Sequence, residues 1–245
     1  MVLAGSFSSL ALADVPASHL QAPKSSYDPI DQYAPQEIEG WTVRVNKRLL
    51  EEKHQKLGRR TLKLLEDQLF RIAQVVPPGP LAKLRRIPIW VELEEPHHPC
   101  MCYHVSAGWL SQHGMNPQKA GAVEIANAEN FLSWSFQQPW MVLHELSHGY
   151  HDQVLGFDNP EIRACYDQAV ASRSYESVLH WDGRKVRAYA LTNEKEYFAE
   201  TTEAFFGTND FYPFVRSELK EHDPKMYQLL EKFWETGAGG PEGAP

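Results

Sequence analysis

His144-Glu145-Leu146-Ser147-His148 places two imidazoles and a carboxylate around one helical turn. Two imidazoles four residues apart project from one face of a helix and can grip a single metal ion. Glu145 stands about 100° round the helix, close to that ion without binding it, and is placed to take a proton from water. This is the pattern of a zinc hydrolase. The flanks predict a helix. Pro139 is tolerated in a first turn, Trp140, Leu143, Ser147 and Tyr150 mark a neighbouring stripe, and Gly156 stops the helix after Leu155. The bland alternative is a surface helix with two solvated histidines.

A zinc site needs a third protein ligand, and catalysis needs a fourth position left for water. A histidine ten residues after His144 would give the metzincin pattern, but Val154 occupies that position. His151 lies two turns along from His144, too far up the same helix to close a tetrahedron. The other solution is a glutamate from a second helix, and residues 193–206 offer one. Asn193 is a capping residue at its start and Gly207 a stop at its end. Glu196, Glu200 and Glu203 then share a face, while Tyr197, Phe198, Ala204 and Phe205 form the apolar remainder. Carboxylates stacked at this spacing repel one another unless something positive stands opposite. Without it they would be a capping residue and a solvated stripe.

Together, His144-Glu145-Leu146-Ser147-His148 and Glu196-Tyr197-Phe198-Ala199-Glu200 resemble the glutamate-zincin arrangement. The nearest likeness is to the catalytic domain of anthrax lethal factor and the related clostridial Pro-Pro endopeptidases. The resemblance covers residues 120–207 and implies an α+β zincin-like fold with a small mixed sheet. It implies Glu196 as the third ligand of one zinc ion per chain and Glu200 as a partner of a ligand histidine. The same group carries a tyrosine seven residues before the ligand glutamate, which falls on Tyr189 and would face the reacting carbonyl. Asp152, four residues after His148, matches an aspartate of thermolysin-like enzymes that steadies a ligand imidazole. A core aromatic and an exposed helix residue are the plain readings of Tyr189 and Asp152. In the implied mechanism Glu145 is the general base and the reaction is peptide-bond hydrolysis.

The remaining pattern suits a single zincin-like domain over 37–236. Trp41-Thr42-Val43-Arg44-Val45 reads as a strand, Leu49–Val76 as a long helix, and Arg86–Leu93 and Ala120–Asn127 as further strands. By resemblance, the strand just before the zinc helix is the sheet edge along which extended substrate pairs. A last helix is expected over Pro224–Thr236. Ala11-Leu12-Ala13 resembles a signal-peptidase site, so residues 1–13 read as a truncated signal peptide and the protein as secreted. Residues 14–36 read as a flexible lead-in and 237–245 as a disordered tail.

The composition, 42% apolar and 23% charged, is that of a globular protein. A net charge of −8 gives no case for nucleic acid or an acidic membrane surface, and no run approaches a membrane span. The partner expected is therefore a peptide or protein substrate. His97-His98-Pro99-Cys100-Met101-Cys102-Tyr103-His104 concentrates potential ligands, yet without the usual spacing of zinc cysteines. It reads as a loop in which Cys100 or Cys102 bonds Cys165, with a second metal site as the alternative. An inert zincin-fold binding protein would be expected to lose Glu145 or a ligand, and this chain keeps the whole set. A zinc hydrolase with a non-peptide substrate is the other reading.

Overall fold

The computed structural model describes residues 27–235. The suggested signal peptide, most of the lead-in and the suggested tail lie outside them. The structure is α+β, with a five-stranded sheet covered by helices. Strands β1 (Tyr33–Ile38) and β2 (Trp41–Asn46) form a hairpin whose turn residues, Glu39 and Gly40, both have positive φ. That turn geometry matches the twist of paired antiparallel strands. β1 begins inside the segment read as lead-in. Its Pro35 is tolerated because β1 is an edge strand.

A run of 3-10 turns leads into helix α1 (Gln55–Val75), and α2 (Pro78–Leu84) opens with two prolines in its first turn. Leu65, Leu69 and Ile72 bury the inner face of α1. The chain then lays down β3 (Ile89–Val91) beside β2, β4 (Met101–Tyr103), α3 (Ala107–Gln112) and β5 (Val123–Ile125). The sheet order is β1-β2-β3-β5-β4, with β2, β3 and β5 parallel and both outer strands antiparallel.

Two expectations are corrected here, the first by this order. The strand before the helix expected to hold zinc, β5, is interior, paired on both sides. The sheet edge is β4, formed by residues read from the sequence as a loop. A run of only three residues among cysteines, histidines and a proline carries no strand periodicity of its own, and pairing with β5 supplies the structure. The cysteines correct the other expectation, for Cys100, Cys102 and Cys165 are all free.

Helix α4 (Ala128–Trp134) precedes α5 (Met141–Tyr150), which continues as a wider π-helical turn over His151–Leu155 until Gly156, at positive φ, ends it. α6 (Pro160–Ser172), the small hairpin of β6 (Val178–Leu179) and β7 (Lys185–Val186), and a 3-10 turn at Tyr189–Leu191 lead to α7 (Glu194–Phe206). Asn193 caps α7 through the amides of Lys195 and Glu196. α8 (Arg216–His222) and α9 (Pro224–Leu230), with a final turn over Glu231–Glu235, close the described chain.

α5 packs against α7, β4, β5, α1 and α2, so it lies at the centre of the molecule. Its Leu143, Leu146 and Tyr150 are fully buried, with Tyr150 stacked on Trp234. The two long helices meet closely where α7 ends. Gly207 lies against the indole of Trp140, which caps the start of α5, and a Cβ there would fall 2.0 Å from Trp140 Cε2. A rigid ring cannot give way as a flexible side-chain end can. Gly207→Ala is expected to destabilise the protein by about 1–3 kcal/mol, as overpacking typically does, measured as a lowered denaturant midpoint at unchanged slope.

Candidate metal centre

Helix geometry delivers the first two ligating groups. His144 and His148 project from the same face of α5, their ring centroids 4.8 Å apart and nearly perpendicular. α7 brings Glu196 to both. Glu196 Oε2 stands 3.0 Å from His144 Nε2 and 3.3 Å from His148 Nε2. The donor atoms of these three residues all fall within 4.8 Å of one another. Two imidazole nitrogens and a carboxylate oxygen are the donor chemistry of a three-ligand zinc site, and their separations suit ligands about 2.0–2.2 Å from a shared ion. The residues present therefore fit the metal.

The other ring nitrogen of His144 is also engaged. Nδ1 lies 2.7 Å from Glu203 Oε1 and 3.8 Å from Glu200 Oε1. The hydrogen bond that resemblance assigns to Glu200 is made by Glu203, one turn further along. Glu200 instead accepts a hydrogen bond from the Asn209 side-chain amide at 3.1 Å. His144, Glu200 and Glu203 also form a compact donor group of their own. It shares His144 with the first group and uses the ring's outer nitrogen, and so forms a layer behind the three-ligand set.

Electrostatics follow the layering. Burial pushes the Glu196 carboxyl up, but its hydrogen bonds to the two imidazoles outweigh burial and hold it below the usual carboxylate range. Burial opposes charge on His144, while its bonds to Glu196 and Glu203 prevail and hold it well above the ordinary histidine value. Glu200, Glu203 and Asp210 are all pushed up, chiefly by burial. A region crowded with buried carboxyl groups is one that favours a cation.

Glu145, His144 and His148 line a cavity of about 340 Å³ with Glu196, Tyr189, Cys100 and the edge-strand residues Met101 to Tyr103. Tyr189 is half exposed, on the 3-10 turn before α7. Burial, with Glu196 adding, raises its hydroxyl above the usual tyrosine value, which keeps it a hydrogen-bond donor. The structure thus brings Glu145, His144, His148, Tyr189 and Glu196 around one cavity.

Asp152 is placed differently from the expectation. Its carboxylate accepts the Tyr103 hydroxyl at 2.7 Å, and Gln153 donates to the same hydroxyl at 3.0 Å and to the Gly121 carbonyl at 2.9 Å. These bonds fasten the edge strand to the end of α5. His151 is fully buried against Phe157 and Phe198, and neither ring nitrogen has a hydrogen-bond partner. Burial, with His148 and Lys195 adding, pushes its pKa down to about 3, so the ring is a neutral core group.

The contribution of Glu203 escaped the sequence reading, although its place on the same helical face was visible. So did Asn209 and Asp210, which follow α7 in an irregular segment without periodic signal. No helix among the described residues is long and apolar enough to cross a membrane.

The family described as "Anthrax toxin lethal factor, N- and C-terminal domain" matches residues 46–233, about three quarters of the chain. No curated protein and no solved structure gives a match.

If Glu203 rather than Glu200 orients His144, Glu203→Ala should weaken zinc binding by about 10–100-fold, the usual cost of losing such a partner. Glu200→Ala should cost less. Competition against a chromogenic chelator measures both.

Proposed function

The chain belongs to the anthrax toxin lethal factor family, and from that premise we propose that it is a zinc-dependent endopeptidase with a glutamate-zincin site. The family description spans two domains of the toxin, so the family alone does not choose between them. One observation carries the catalytic reading: His144, His148 and Glu196 converge at ligand spacing beside Glu145, on the wall of an open cavity.

His144, His148 and Glu196 would hold the ion. When bound, zinc supplies Lewis acidity and lowers the pKa of water. Glu145 follows His144 in α5 without joining the donor group, and it lines the same cavity. Its carboxylate takes a proton from the attacking water and returns it to the departing amine nitrogen, the ordinary work of a general base and acid. The Tyr189 hydroxyl donates a hydrogen bond to the carbonyl oxygen as that oxygen gains charge. Glu203 holds the His144 ring by its outer nitrogen.

Substrate lies extended along β4. This strand is the sheet edge, and Pro99 to Tyr103 line the cavity. An open edge offers main-chain hydrogen bonds to any peptide and gives affinity with little sequence preference. Tyr103, held by Asp152 and Gln153, keeps that edge in register with α5. The peptide-bond reading is favoured over other carbonyl substrates by this edge, which has no use in binding a small ester. The reading of residues 1–13 as an export signal extends the proposal to a secreted enzyme.

Cleavage of a mixed peptide library should be seen with the zinc-loaded protein. Glu145→Gln should retain one catalytic zinc and lose activity by about 10²–10⁴-fold, the usual contribution of a general base. Tyr189→Phe should lower kcat by about 10²–10³-fold with KM little changed. Parent-level cleavage by Glu145→Gln would contradict the mechanism.

A further inference from the structure

The hydrolytic site leaves one group of ligating side chains unused. Cys102 lies in β4 and His104 two residues on, so both project from the same face of the extended chain. Across the ladder Cys102 pairs with Glu124 of β5, which sets that carboxylate on the same face. His104 Nε2 stands 3.5 Å from Cys102 Sγ and 2.6 Å from Glu124 Oε2. His98, in the preceding loop, brings its ring to 5.4 Å from that of His104. The ligand atoms of His98, Cys102 and His104 all lie within 4.8 Å of one another.

A second observation is independent of this convergence. His98 Nε2 is a buried ring nitrogen with no hydrogen-bond partner. Such an atom left unpaired in the interior is destabilising, and the ligating groups beside the His98 side chain are the Cys102 thiol and the His104 imidazole. Nearby, the amino group of Lys119 is buried and pairs with both Glu92 and Glu124. Glu124 is thereby anchored on one oxygen and presents the other to His104.

We propose that His98, Cys102 and His104 form a second metal site, for a zinc-class cation, with Glu124 at hand as the fourth donor. Two imidazoles and a thiolate suit a borderline-soft ion and disfavour magnesium or calcium, which take oxygen ligands. With a thiolate among its ligands and a carboxylate to close the fourth position, the site has the closed donor set of a structural ion. Its place is the back of the substrate edge. Cys102 also lines the hydrolytic cavity, so an ion here fixes β4 and the loop from His98 against β5. The two sites share no ligand.

Cobalt(II) titration of the full-length metal-free protein separates them, because the hydrolytic ligands include no cysteine. The parent should bind two cobalt ions per chain and develop thiolate-to-cobalt charge-transfer absorption. Glu196→Ala should bind one and keep that absorption. Cys102→Ser should bind one and lose it. Should Cys102→Ser fail to fold, His98→Ala, in a partly exposed loop, should weaken the thiolate-linked binding by at least about tenfold, since even outer-shell partners cost that much. A parent that binds one ion without the absorption overturns the proposal. So does absorption that survives in Cys102→Ser, or thiolate-linked affinity unchanged by His98→Ala.

Discussion

The imidazole of His144 lies between two carboxylates of one helix, and the rest of the structure is arranged around that contact. Glu196 reaches Nε2 and Glu203 reaches Nδ1, at 3.0 and 2.7 Å. They are seven residues apart, close to two turns of α7, so the ring spans the groove between the helices. Burying carboxyl groups costs several kcal/mol each unless charge or hydrogen bonds compensate. Here burial pushes Glu200, Glu203 and Asp210 up together. A positive counterpart offsets that cost. His144 supplies part of it from inside the protein, and the open side of the His144, His148 and Glu196 set faces the cavity where a cation fits.

The packing serves that contact. α5 cannot shift along α7 without breaking the carboxylate–imidazole pairs, and Trp140 against Gly207 fixes the start of one helix to the end of the other. At the opposite end, Tyr150 stacks on Trp234 and donates to the Phe233 carbonyl. The same helix holds the sheet edge through Asp152 and Gln153 on Tyr103. One rigid element therefore sets His144 and His148, the proposed ligands, Glu145, the proposed base, and the strand on which a peptide would lie.

Much of this was legible in the chain because it is written in helical spacing. The Asn193 cap and the Gly207 stop place α7 within a residue of its observed bounds, and the helix expected to run to Leu155 does so as α5 and the π-helical turn that continues it. What spacing could not convey was which carboxylate meets which nitrogen. Glu200 and Glu203 share a face, and the choice between them depends on how deeply α7 packs against α5. The sheet edge was hidden for another reason. Met101–Tyr103 is a strand only because β5 pairs with it, and its proline, cysteines and histidines point to a loop when read alone. β1 was hidden likewise, although the Glu39-Gly40 turn before a clear strand is a hairpin signal. The expected disulfide came from counting cysteines, which says nothing of where they lie.

In the proposed site, two imidazoles of α5 and one carboxylate of α7 hold a zinc ion. Anomalous diffraction at the zinc edge from crystals of the zinc-loaded protein tests it most directly. A peak is expected about 2.0–2.2 Å from His144 Nε2, His148 Nε2 and a Glu196 carboxylate oxygen. A zinc-loaded crystal with no peak at that position, or with an ion there that leaves Glu196 uncoordinated, would contradict it.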